Sequence, residues 1–323
     1  MKVGTLALYL LLLVMPLHSA QTLKINIGAE QRIDTVPPHK ASGVKQAVPS
    51  ASDEPAVLVA NTRRLISLSE EYADTRYLGF AAGALSPWKN AEFVPAEIRL
   101  LRAILAQKKH QFGSALADLE PVLQNPKLAA EAWFVKAMVH QAMGDHANAV
   151  DSCFSLADFT AAAVVSACLA SEFHSMGQSD MAWSFVPEQP LADVLTLDPG
   201  VRQWVLTVYA EVAGEHKPEL ATEYFQQAMA ILPKNPHLVR VYAQHLLKLG
   251  DASKVVELLQ TAALDAPLQW LQCQALQRTD GDKSFQNCFG ELTPKALVID
   301  EDNQYVYPDL IQQMGLLGDR EML

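Results

Sequence analysis

The stretch AEAWFVKAMVHQAMGDHANAVDSC, residues 130–153, decides how the chain is read. Apolar and small side chains recur at helical spacing up to Met143. Gly144-Asp145 then interrupts the pattern, and a second helical run follows. Two helices joined by a tight turn are predicted. The same layout recurs along the chain. With Ala130 as position 1, Trp133 takes position 4, Ala137 position 8 and Ala149 position 20. Moving back 34 residues puts Ala103, Phe112, Ala115 and Leu119 at positions 8, 17, 20 and 24, and Pro126 closes the unit. A further step back brings Ala81 and Leu85 to positions 20 and 24, with a first helix over Pro55–Tyr72 in which Ser69 fills position 8.

Going forward, one shortened unit carries Ala170, Gly177 at the turn, and Ala182. After a stretch containing PEQPLADVLTLDPG, Ala221, Phe225, Ala228 and Pro233 mark the next unit. Then come Ala243, Gly250-Asp251 and Val255, and a last unit from Pro267 with Trp270 and Gly281-Asp282. The steric logic is common to all. Alanine at positions 8 and 20 lets paired helices approach closely, bulky residues fill the gaps between pairs, and glycine takes positive φ at the turn.

This unit resembles the 34-residue tetratricopeptide repeat. The resemblance implies an all-α fold, a right-handed superhelical solenoid of about six helix–turn–helix repeats with a C-terminal capping helix. One hairpin cannot bury its apolar face alone, whereas stacked hairpins make a continuous core. The repeat domain is expected over 55–310. Pro308 would open the capping helix, Asp309–Leu317, and residues 311–323 would form a tail. The stretch TRYLGFAAGALSPW, residues 75–88, with LRAIL at 101–105, also looks like a group of exported bacterial tetratricopeptide-repeat proteins of undefined role.

Residues 1–20 have the three-part layout of a signal peptide: Lys2, an apolar run from Leu6 to Val14, then Pro16 and small residues Ser19 and Ala20. The apolar run is short for a membrane span. Residues 21–54, rich in Pro, Ser, Ala and Lys, read as a flexible tether. The chain is therefore expected to be exported, periplasmic or secreted in a Gram-negative bacterium, with no integral membrane segment after cleavage. A net charge of −11 without a Lys/Arg cluster argues against nucleic acid as a partner.

Exported cysteines meet an oxidising compartment and tend to pair. In the repeat frame Cys153 and Cys168 fall on neighbouring helices, as do Cys273 and Cys288. Two local disulfides fit the fold best, with buried free thiols as the alternative. No zinc-helix HExxH, nucleophile GxSxG, phosphate-loop GxxxxGK[ST], dinucleotide GxGxxG or EF-hand pattern occurs. Neither an enzyme nor a bound cofactor is expected.

Tetratricopeptide arrays present a groove, lined by the first helix of each pair, to a protein or peptide. The resemblance implies that positions 5, 9 and 12 line it: Leu100, Ile104 and Gln107, then Phe134, Met138 and Gln141, then Arg240, Gln244 and Leu247. An exported scaffold that binds a protein or peptide, assisting an envelope complex, is the leading reading. The alternative is a metal-handling accessory protein using His140, His146 and His174 with Met138, Met143 and Met176, since imidazole and thioether suit soft metals.

Overall fold

The computed structural model describes residues 55–71, 74–89, 91–189, 192–260, 262 and 266–296, which all lie in one compact unit. The expected leader 1–20, tether 21–54, capping helix 309–317 and tail 311–323 fall outside the described residues.

The described residues form fourteen α-helices and no strand. In chain order they are α1 (Pro55–Glu71), α2 (Arg76–Ala84), α3 (Ala96–Lys108), α4 (Phe112–Val122), α5 (Ala129–Ala142), α6 (His146–Ser155) and α7 (Ala162–Ser175). Then follow α8 (Ser179–Trp183), α9 (Pro199–His216), α10 (Pro218–Ile231), α11 (Pro236–Leu249), α12 (Ala252–Leu259), α13 (Ala266–Asp280) and α14 (Asp282–Ala296). Each odd-numbered helix pairs with the even-numbered one after it, and odd-numbered helices of successive pairs also pack on one another. The result is the all-α helical repeat solenoid expected from the period.

The repeat positions behave as sterics requires. Ala103, Ala137, Ala170 and Ala243 on first helices, and Ala81, Ala115, Ala149, Ala182 and Ala221 on second helices, are all completely buried. A larger side chain at any of them would hold the paired helices apart. Within four hairpins the connecting glycine is left-handed: Gly144, Gly177, Gly250 and Gly281 have φ of 71°, 70°, 86° and 88°. The α3–α4 turn uses His110 instead, at φ 55°, and its ring meets Phe112 edge to face.

The fourth hairpin departs from the pattern. The repeat predicts a long second helix around Ala182, but α8 ends after five residues. Pro187 and Pro190 follow, and proline can neither donate a backbone hydrogen bond nor continue a helix. The chain instead forms a 3₁₀ turn over Ala192–Thr196, where the Asp193 carboxylate accepts from the Ala163 N–H at the start of α7, 3.2 Å away. So the segment around Val194, which is itself buried, packs against the array. Two buried tyrosines lie beside the shortened helix. Tyr209, standing on α9 at the repeat position where α3, α5, α7 and α11 carry alanine, donates its hydroxyl to the Ala163 carbonyl at 3.1 Å. Tyr224 on α10 donates to the Pro187 carbonyl at 2.6 Å. Their rings lie 5.6 Å apart. Burial raises both phenols, Tyr209 to about 12.

Both cysteine pairs are disulfides. Cys153–Cys168 joins α6 to α7 and Cys273–Cys288 joins α13 to α14, with Cα–Cα distances of 5.6 and 5.4 Å. Two further ties skip a hairpin. Arg63 on α1 grips Glu131 on α5 with two parallel hydrogen bonds of 2.7 and 2.8 Å. Phe134 on α5 meets Trp204 on α9 edge to face, with centroids 4.8 Å apart.

Candidate functional site

Where α7, α9 and α11 approach their C-terminal ends, they leave a cleft of about 190 Å³. His174, Ala210, Glu211, Gly214, Glu215, Val241, Gln244, His245 and Lys248 line it, and Phe225 of α10 closes its floor. Small residues make the opening, since Ala210 and Gly214 place no bulk between α9 and α11. The local field is mainly negative. Helix C-termini carry partial negative charge, and Glu211 and Glu215 add carboxylates. The Ser179 hydroxyl donates to Glu215 and holds its carboxyl below the usual range, against the opposing effect of burial. Glu211 faces His237 across 3.6 Å. Lys248 reaches back to the Gly214 carbonyl, 3.4 Å away, so one cation already sits at the C-terminal end of α9.

His245 is the buried wall of the cleft, packed on the Phe225 ring at 5.2 Å. Thr222 donates to the Pro218 carbonyl at 3.0 Å. Its oxygen is left to accept from His245 Nε2 at 2.9 Å, which assigns the proton to that nitrogen in the neutral ring. Burial, with Lys248 adding to it, lowers the His245 pKa. An unfolded chain takes up this proton near pH 6.5, before the folded one does. The His245 contribution to stability is therefore full above about pH 6.5 and lost as pH falls toward the folded value. Melting temperature measured from pH 7.5 down to 5 should fall more for the natural chain than for His245→Gln; equal slopes would contradict this.

The sequence-predicted groove residues have varied fates. Leu100 is fully buried between α3 and α5 and has no surface to offer; Leu247 is also buried. Ile104 and Gln107 are half-buried, with Ile104 touching two core clusters. Phe134 is engaged by Trp204, and Met138 packs against the central core. Gln141 donates to the Ser171 carbonyl and hydroxyl on α7, at 3.2 and 3.3 Å. Arg240 donates to His237 at 3.1 Å. Of the nine residues predicted to line the groove, Gln244 alone lines the cleft. Glu211, Gly214, Glu215 and Lys248 were not anticipated. The available signal was a glycine and two carboxylates gathered at the end of α9.

The histidines of the metal reading do not converge. His140 pairs with Asp145 at 3.0 Å, and His146 pairs with the buried Glu172 at 2.6 Å. Among the described residues no group of three or more His, Cys, Asp or Glu could hold a metal ion.

Residues 212–278, spanning parts of α9 to α13, match the family model for the tetratricopeptide repeat. This part of the chain is therefore similar to the tetratricopeptide repeat, and the hairpins on either side of it repeat the same helical architecture. No curated protein matches the chain. Among solved structures it is similar to PilW, a type IV pilus biogenesis factor, at 14% identity and a TM-score of 0.49, covering 65% of this chain and 98% of that one. It is also similar to Pseudomonas aeruginosa pilF at 16% identity and 0.48, covering 65% and 96%. A tetratricopeptide repeat protein from Parabacteroides merdae aligns at 12% and 0.47, covering 78% and 97%. At such low identity and TM-score these neighbours carry nothing about the partner of this chain. No helix among the described residues is long and apolar enough to cross a membrane.

Proposed function

We propose that the chain is an exported scaffold that binds a protein or peptide segment along its row of odd-numbered helices. The anchor is the cleft between α7, α9 and α11. A basic side chain of the partner enters it and meets Glu211 and Glu215. The observation that carries this reading is the meeting of two carboxylates with three helix ends in one small, open cleft. The partner continues past Gln244 and Arg240 on one side and toward Gln141, Met138, Phe134, Gln107 and Ile104 on the other. Export is supported by the leader layout of residues 1–20 and by the absence of unpaired cysteine.

The test is selection of displayed random peptides on the purified protein. Selected sequences should be enriched in Lys and Arg, and Glu211→Lys should weaken them at least about tenfold, the loss of one well-placed charge pair. Gly214→Ala separates binding from folding. Its new methyl would lie in ordinary contact with His245, 3.5 Å from Nδ1. It should raise stability by about 0.5–1 kcal/mol, as for glycine inside a helix, yet narrow the cleft and weaken binding. Peptides without basic residues, indifferent to both changes, would overturn the assignment.

A further inference from the structure

The two disulfides differ in what can reach them. Cys153 and Cys168 are sealed between α6 and α7, at 1% and 0% exposure. Cys273 is equally sealed, at 0%, among Trp270, Phe285 and Leu292. Cys288 is the exception. It is only half-buried and opens onto a cleft of about 290 Å³ at the α13–α14 hairpin. Gln269, Gln272, Ser284, Asn287 and Glu291 line the cleft beside Leu276. The cleft can therefore admit water and a hydrophilic reagent of small size.

We propose that Cys288 is a site of thiol–disulfide exchange, the point at which an external dithiol opens the Cys273–Cys288 bond without unfolding the chain. Exchange proceeds by attack of a thiolate on one disulfide sulfur, so access to that sulfur decides which bond reacts. The incoming thiolate bonds to Cys288 Sγ. The Cys273–Cys288 bond breaks, and its electron pair leaves on Cys273 Sγ. In its apolar surroundings Cys273 takes a proton and becomes a thiol. The second thiol of the reagent then attacks the mixed disulfide and leaves Cys288 as a thiol. The protein gains two electrons and two protons, and the dithiol becomes a disulfide.

Two neighbours bear on this exchange. The Gln269 carbonyl lies 3.9 Å from Cys288 Sγ and offers an acceptor to the S–H once it forms. Glu291, on the cleft wall, disfavours anionic thiols. The opened hairpin retains the ring cluster of Trp270, Phe285 and Phe289, whose centroids lie 5.6–6.1 Å apart, so helices α13 and α14 stay paired.

The experiment treats the oxidised full chain with dithiothreitol in native buffer, alkylates at intervals and maps the peptides by mass. Cys273–Cys288 should open more than about tenfold faster than Cys153–Cys168, with no loss of helical circular dichroism. A cationic monothiol, cysteamine, should leave its adduct on Cys288 and not on Cys273. Glu291→Lys should speed attack by glutathione and slow attack by cysteamine. The proposal is overturned if both disulfides open at one rate with the same urea dependence, or if the adduct sits on Cys273. It is overturned equally if Glu291→Lys leaves both rates unchanged.

Discussion

Tyr209→Ala should destabilise the protein by about 3–5 kcal/mol, the range for deleting a large buried aromatic side chain. The ring is completely buried, and it packs on Tyr224 in the place where the shortened α8 leaves the fourth hairpin incomplete. Alanine is the normal residue of this repeat position, yet restoring it here would not restore the repeat. Elsewhere a full second helix fills the adjoining space. Here the prolines after α8 forbid that helix, so the alanine would leave a cavity. Chemical denaturation followed by circular dichroism gives the loss directly. Tyr209→Phe is the control. It keeps the volume and removes only the hydroxyl, with its hydrogen bond to the Ala163 carbonyl and its interaction with Ser166, at a cost of about 0.5–1.5 kcal/mol per hydrogen bond. A Tyr209→Ala loss no larger than that would show that the fourth hairpin relaxes around the gap.

The second large effect concerns Cys153–Cys168. Replacing both by serine should cost about 3 kcal/mol, the chain-entropy value for a loop of this length. A further loss comes from placing hydroxyls in a fully buried site. The pair stands at the join between hairpins, where α6 meets α7, and the buried Glu172 is held there by His146. Melting of the double variant against the natural chain, with both kept free of reductant, measures the cost. No change in melting temperature would mean that the α6–α7 contact is held by packing alone.

The sequence was highly legible wherever sterics repeat. Alanines at fixed positions and glycines before Asp145, Asp251 and Asp282 give the hairpins and their order, because only small residues and only positive φ satisfy those places. The cysteine pairs followed once each cysteine had a helix. The fourth hairpin was less legible. Ala182 fits the frame, so the pattern continues on paper where Pro187 and Pro190 stop the helix. The site was least legible. Positions 5, 9 and 12 assume that every first helix shows the same face to solvent. Leu100 is instead covered by α5, and Phe134 by Trp204 arriving from two hairpins away. Such contacts depend on how much each pair is rotated against the next, which no single repeat encodes. The cleft arises at Ala210 and Gly214, where small size makes space rather than contact.

The grip of Arg63 on Glu131 and the meeting of Phe134 with Trp204 have a consequence for how the array comes apart. In a solenoid whose repeats touch only their neighbours, ends fray and unfolding proceeds unit by unit. Here α1 is tied to α5, and α5 in turn to α9, with one hairpin passed over each time. Peeling away the first hairpin breaks a bond to the third, and loosening the third releases the fifth. The first five hairpins therefore share their stability and melt together. Loss of this part of the array is then one cooperative event and not a peeling from its first helix.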